Sequence, residues 1–229
     1  MNIAIILSGG TGVRLGGDIP KQYIEVNGRP VIANSIDTFE NHDLIDKYVI
    51  VAAEEWQEYV HNYIVTERQT TTKFAGFASP GDNRQLSIYN GLKLITVFAN
   101  DNDVVIVHDA ARPFVSVETI TALINACEVH DGAMPALPVK DTMYIQENGR
   151  VKSLIDRESL IAGQAPEAFI LGKYLTANEA LMPNRILDIK GSTEPAFLAG
   201  MDITVIPGDE KNFKITTKDD LDKYIEIVR

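Results

Sequence analysis

Residues 5–22 read Ile5-Ile6-Leu7-Ser8-Gly9-Gly10-Thr11-Gly12-Val13-Arg14-Leu15-Gly16-Gly17-Asp18-Ile19-Pro20-Lys21-Gln22. An apolar run from Ile3 to Leu7 stops abruptly at small residues, and two cations, Arg14 and Lys21, follow in or beside the glycines. Glycines let successive backbone N–H groups turn toward one concave point. Arg and Lys then add full positive charge where oxyanions would lie. An ordinary glycine turn with solvated cations is the plainer alternative, but the spacing favours a polyphosphate cradle.

Outward from this loop, strand and helix signals alternate. Tyr48–Ala52 and Val104–Val107 are near-continuous apolar runs, as in parallel strands covered on both faces. Helical spacing recurs at Ile88, Leu92 and Ile95, at Ile120, Leu123, Ile124 and Cys127, and at Leu221, Tyr224, Ile225 and Val228. Thr217 and Asp220 predict a capping box on the last helix. The pattern is an α/β three-layer fold with a mainly parallel sheet, in which ligands bind beyond the C-terminal ends of strands. Both the glycine loop and His108-Asp109 fall at such ends. Residues 138–164 break the rhythm. There Tyr144–Gln146 and Val151–Leu154 flank a Glu147-Asn148-Gly149 turn signal, which predicts a hairpin arm inserted into a single domain spanning 1–229.

The 229 residues suffice for a substantial core. A net charge of −11 disfavours nucleic-acid and anionic-membrane partners and makes the local cations of the loop more informative. The single cysteine excludes an intramolecular disulfide framework and suits a cytoplasmic location; Cys127 itself reads as an apolar member of its helix. The N-terminus lacks a basic leader, and no apolar stretch approaches membrane-spanning length, so neither a signal peptide nor a transmembrane helix is expected.

Further chemistry-bearing segments follow the loop. In Pro80-Gly81-Asp82-Asn83-Arg84-Gln85-Leu86-Ser87 a turn enters a helix, with Asp82 either its cap or a pocket residue. His108-Asp109-Ala110-Ala111-Arg112-Pro113 brings a carboxylate off a buried strand, a type that suits Mg²⁺ held with phosphate oxygens and water. The arm carries Lys140-Asp141-Thr142 and Asp156-Arg157. In Asn212-Phe213-Lys214-Ile215-Thr216-Thr217, Lys214 is placed on a short strand and, taken alone, reads as a surface lysine. Trp56 reads as a packing residue. The four histidines are scattered without zinc-ligand spacing.

These segments together, with Gly163-Gln164-Ala165-Pro166, resemble the cytidylyltransferases that make CDP-linked polyols, the 2-C-methyl-D-erythritol 4-phosphate and ribitol-5-phosphate enzymes. The resemblance covers nearly the whole chain, with the motifs in the family's order. It implies a Rossmann-like nucleotidyltransferase fold, a β-arm that interlocks in a homodimer, and Mg²⁺-dependent transfer of CMP from CTP to a polyol phosphate. It implies triphosphate and transition-state roles for Arg14, Lys21 and Lys214. CTP contacts fall to Ser8, Gly9, Gly10, Gly12, Gly81, Asp82, Arg84, Ser87 and Ala110. Acceptor-side roles fall to Asp109, which also matches the metal-associated acid, and to Arg112, Thr142 and Arg157, the last two reaching across the dimer.

The residue types agree with that chemistry. Attack of an acceptor phosphate on the α-phosphorus of CTP needs alignment and charge stabilisation but no enzyme nucleophile. The chain departs from the family pattern in two places. Asp188–Pro195 differs from the acidic, threonine-containing motif usual there, and Gln164-Ala165-Pro166-Glu167 stands where Gln-Thr-Pro-Gln is common. Leu7–Gly10 and Ala52–Trp56 look more like the ribitol-phosphate branch, whereas Asp141–Met143 and Asp156-Arg157 look more like the methylerythritol branch. The acceptor is therefore one of these two or another alditol phosphate of cell-surface polymer synthesis. A dinucleotide-binding oxidoreductase is disfavoured, because Gly10–Gly16 is not G-x-G-x-x-G and the next strand lacks a terminal acid. A non-catalytic nucleotide sensor would have no need of Arg14, Lys21, Asp109 and Lys214 together.

Overall fold

The computed structural model describes residues 1–10, 19–64 and 72–229. Arg14 and Gly12 of the loop lie outside the described residues. Three strands form the centre: β1 (Asn2–Leu7), β4 (Lys47–Val51) and β6 (Val104–Asp109). β1 pairs in parallel with both neighbours, and β4 pairs in parallel with β5 (Phe74–Ala78). Beyond β6 lie β11 (Glu167–Ile170), antiparallel to it, and then β7 (Gly132–Pro138). β7 also pairs antiparallel with β10 (Ile161–Gly163) and parallel with β12 (Ile203–Pro207). These eight strands form one mixed sheet.

Alternation along the central strands sends apolar side chains to both faces. Ala4, Ile6, Tyr48, Ile50 and Ile106 join a core with α1 (Ile32–Asn41), α2 (Glu54–Asn62) and α4 (Val117–Ala126). Ile3, Ile5, Val49, Val51 and Val107 join another with α3 (Arg84–Ile95), α5 (Leu171–Glu179) and α6 (Glu194–Leu198). This two-sided burial is why the strands read as unbroken apolar runs. The last helix, α7 (Lys218–Val228), packs Tyr224 against Val31 and Ile215, and it opens with the expected Thr217–Asp220 capping box. Cys127 closes α4 in the apolar core, where burial pushes its thiol up to about 12.

Strand β2 (Glu25–Val26) pairs with β3 (Arg29–Pro30). The predicted hairpin is present as β8 (Met143–Glu147) and β9 (Arg150–Ile155), joined through Asn148 and Gly149 at positive φ. Both turn residues need that left-handed region, which is why Asn-Gly marked the turn. The hairpin pairs with neither of the other sheets, and Tyr144, Ile145, Val151 and Leu154 are all exposed.

The structure decides between the two readings of Asp82 and changes the one for Lys214. The cap of α3 is Asn83, whose side chain accepts from Leu86 N at 2.8 Å, so Asp82 is not the cap. Lys214 is not on a strand: among the described residues a single backbone–backbone bond, Ile215 N–H to Ala111 O at 2.8 Å, joins its segment to the segment after β6, too little for a ladder.

Candidate active site

In the register of β1 and β6, Leu7 lies opposite Asp109. The glycine loop and the carboxylate therefore leave the sheet side by side, between two strands from which the chain departs in opposite directions along the strand order, toward β4 and toward β7, where open α/β sheets bind ligands. A cleft of about 430 Å³ opens there, lined by Gly9, Gly10, Lys21, Asp82, Arg84 and Lys214 among others.

Close backbone approach shapes the cleft. A Cβ on Gly9 would sit 2.4 Å from Pro80 Cβ, and one on Gly81 would sit 2.4 Å from Leu86 Cγ. Gln22 fixes the start of the loop by donating to Ser8 O and Gly10 O, both at 2.7 Å. Lys21 enters from the 3₁₀ turn Lys21–Tyr23 and donates to Ile215 O at 2.5 Å, beside Lys214. The N-terminus of α3, where backbone N–H groups favour an anion, faces the same space through Asp82, Asn83 and Arg84.

Asp109 is the electrostatic centre. Its Oδ1 accepts from Arg84 Nε at 2.9 Å and its Oδ2 from Lys214 Nζ at 2.8 Å, with Arg112 Nε 3.8 Å away. Burial opposes its charge, but Arg84 and Lys214 outweigh burial and hold its carboxyl well below the usual range. Burial likewise works against Arg84, yet Asp109 and Glu167 keep it firmly protonated. Arg112 donates to Asn212 O at 2.7 Å. His108, fully buried, bonds Ser35 Oγ and Arg112 O, both at 3.1 Å. Burial drops its pKa to about 4, so it is neutral and structural at neutral pH.

The structure gathers Gly9, Gly10, Lys21, Gly81, Asp82, Arg84, Ser87, Asp109 and Lys214 at the cleft, with Arg112 adjoining through Asp109. Ser8 does not present its hydroxyl there; that group is buried and donates to Tyr23 Oη at 2.8 Å. Ser87 spends its hydroxyl on the turn, accepting from Gly81 N and donating to Asn83 O. Ala110 is fully buried in the core, and Ala111 lines the cleft in its place. Thr142 and Arg157 are exposed and outside this cleft; Arg157 donates to Lys140 O at 2.8 Å at the base of the arm. Residues not singled out from sequence complete the setting: Gln22 and Asn83, both inside quoted motifs, and Glu167 and Ser192, visible only as departures from a pattern.

For a divalent cation the donor set is sparse. Among the described residues no three acidic, histidine or cysteine side chains cluster as a metal-binding set. Asp109 offers one carboxylate whose oxygens already accept from two cations. That fits Mg²⁺ only if phosphate oxygens and water supply most of its coordination, which is the usual habit of this ion.

Comparison with known proteins identifies the family. The model of the family described as IspD, 2-C-methyl-D-erythritol 4-phosphate cytidylyltransferase, matches residues 2–229. A ribitol-5-phosphate cytidylyltransferase of Streptococcus agalactiae serotype III is 32% identical, over 96% of this chain and 92% of that protein. A 2-C-methyl-D-erythritol 4-phosphate cytidylyltransferase of Clostridium beijerinckii is 34% identical, over 95% and 94%. Among solved structures, 2-C-methyl-D-erythritol 4-phosphate cytidylyltransferase of Francisella tularensis superposes with a TM-score of 0.80 at 27% identity, covering 97% of both chains. A 4-diphosphocytidyl-2C-methyl-D-erythritol synthase superposes at 0.81 and 26%, covering 100% of this chain and 98% of that one. On the full-length family match and the 32–34% identity to these curated relatives, the chain belongs to the IspD family of cytidylyltransferases.

Proposed function

We propose that the protein transfers CMP from CTP to a polyol phosphate, ribitol 5-phosphate or 2-C-methyl-D-erythritol 4-phosphate, releasing pyrophosphate. The observation that carries this reading is the pairing of Arg84 and Lys214 with Asp109, with Lys21 in the same cleft beside a glycine loop, within a chain of this family. A phosphate oxygen of the acceptor forms a bond to the α-phosphorus. The bond from that phosphorus to the bridging oxygen breaks, and pyrophosphate departs with the electron pair. An acceptor phosphate largely dianionic at neutral pH needs no general base, which accords with the absence of a nucleophile–base pair among the described cleft residues. Lys21 and Lys214, with Arg14 from the loop, supply the positive charge that the α-phosphate needs as negative charge builds in the transition state.

Mg²⁺, when bound, neutralises triphosphate charge; Asp109 would be its protein carboxylate. Arg84 at the start of α3 and Asp82 just before its cap face the nucleotide, while Asp109 and Arg112 face the acceptor. The exposed hairpin packs against a second copy of the chain, bringing Thr142 and Arg157 to the partner's cleft, and the enzyme works in the cytoplasm. The relatives carry both acceptor names at similar identity, so acceptor choice is settled by assay. Purified protein with CTP, Mg²⁺ and a panel of methylerythritol, ribitol and other alditol phosphates should release pyrophosphate and form one CDP-polyol. Tight CTP binding with no turnover on any acceptor would favour a nucleotide sensor instead.

A further inference from the structure

Glu167 opens β11, in the segment whose sequence departs from the family pattern, and its side chain is only 13% exposed. Its Oε2 accepts from Ser192 Oγ and lies 3.9 Å from the Arg84 guanidinium; its Oε1 accepts from Thr193 Oγ1 at 3.2 Å. Ser192 Oγ in turn accepts from Arg84 at 2.8 Å, and Tyr174 Oη donates to Ser192 O at 2.7 Å. Arg84 is thus held on one edge by Asp109 and on the others by Glu167 and Ser192. A line of alternating charge, Glu167–Arg84–Asp109–Lys214, runs from behind the cleft wall to its lining.

A guanidinium bound at one edge swings about that bond; one hydrogen-bonded at two edges, with a carboxylate facing the third, is fixed. Asp109 is shared by two cations, so any movement of Arg84 changes how its carboxylate faces the cleft. We propose that Glu167 is a positioning residue of this site: it fixes Arg84, and through Arg84 the orientation of Asp109 toward the acceptor, while anchoring Ser192 and Thr193 beside it. Glu167 touches no lining surface of the cleft itself. Burial raises its pKa, with Arg84 and Ser192 opposing that rise. The inference rests on the proposed function for its kinetic test.

Glu167→Gln keeps the size and a hydrogen-bond acceptor for Ser192 or Thr193 but removes the charge facing Arg84. The expected result is a loss of about tenfold or more in kcat/KM for the acceptor, since small misplacements at a reacting centre cost up to about 10²-fold, with any rise in KM for CTP smaller than that loss because Arg84 keeps its hydrogen bond to Asp109. Equal rises in both KM values together with a lowered melting temperature would mark Glu167 as merely structural and overturn the proposal, as would constants within twofold of wild type. A second readout needs no turnover: the Arg84 Nε–H resonance, observed by NMR in the full-length protein, should shift in Glu167→Gln and remain near its wild-type position in Thr193→Ala, which leaves the Glu167 charge in place. An unmoved resonance in Glu167→Gln overturns the positioning role. Absence of transfer by wild type toward every acceptor would count against the proposed function and leave the resonance test standing.

Discussion

Lys214 Nζ lies 2.8 Å from Asp109 Oδ2, although 105 residues separate them in sequence. The ammonium is therefore held at the C-terminal end of β6 before any phosphate arrives, and the same carboxylate holds Arg84 on its other oxygen. A preset charge arrangement costs no reorganisation at the moment of reaction. A phosphate chain entering the cleft would compete with Asp109 for these cations.

Lys214→Ala should lower turnover by about 10²–10³, the usual loss for one preorganised stabiliser. Melting should shift by only a few degrees, because Arg84 still satisfies the buried Asp109. Steady-state kinetics beside a thermal melt separates the two effects. Turnover near wild type would remove Lys214 from the site.

Gly9 and Gly10 should respond differently to the same methyl group. At Gly9 an added Cβ meets Pro80 at 2.4 Å, so Gly9→Ala should destabilise by about 1–3 kcal/mol and weaken CTP binding together. At Gly10 an added Cβ meets none of the described residues, so Gly10→Ala should melt close to wild type. Chemical denaturation of both variants checks the pair; equal stability of the two would refute the close-approach argument.

The central strands and the Asp109 site were legible in sequence because the information there is local. A strand that ends in Ser8-Gly9-Gly10, or in His108-Asp109-Ala110, announces both a buried run and the point where it reaches solvent. The Arg84 network was not legible, because it joins Asp109, Glu167 and Ser192 across separations of 25 to 108 residues with no shared periodicity. The α3 cap was not legible either, for a simpler reason: Asp82 and Asn83 are adjacent and equally good capping types, and only backbone geometry selects Asn83. Phe213–Thr216 has the β-branched and aromatic character of a strand, yet only Ile215 N–H finds a backbone partner outside the segment. Ala110 and Ala111 are indistinguishable in sequence; alternation after β6 buries one and opens the other to the cleft.

His108 gives the fold a pH dependence of known sign. Burial lowers its pKa from 6.5 to about 4, so between these values the unfolded chain binds a proton that the folded protein refuses. Its contribution to stability is complete above about pH 6.5, falls as the pH drops toward about 4, and changes little below that. Urea unfolding from pH 7.5 to 4, compared between wild type and His108→Gln, isolates this contribution from that of the carboxylates. The variant should show a shallower loss of stability with acid; parallel curves would mean that His108 is not the group responsible.

The hairpin makes the last prediction. Its strands expose Tyr144, Ile145, Val151 and Leu154, and an isolated two-stranded sheet is marginal in water. Packing against the arm of a second copy would bury these residues and carry Arg157, exposed at the arm's base, toward the partner's cleft. Val151→Asp combined with Leu154→Asp should then give a monomer by sedimentation, since two buried carboxylates would oppose the interface. If the cleft is shared, an Arg157→Ala chain and a Lys21→Ala chain should complement each other. In the mixed dimer one cleft carries both lesions and the other carries neither, so random exchange of equal amounts should restore roughly a quarter of wild-type activity by mass action. Complementation well above either variant alone, under conditions where exchange is demonstrated by labelled subunits, is the expected outcome. No recovery despite exchange, or a wild-type protein that sediments as a monomer, would mean that each chain builds its site alone and that Arg157 serves only to brace Lys140.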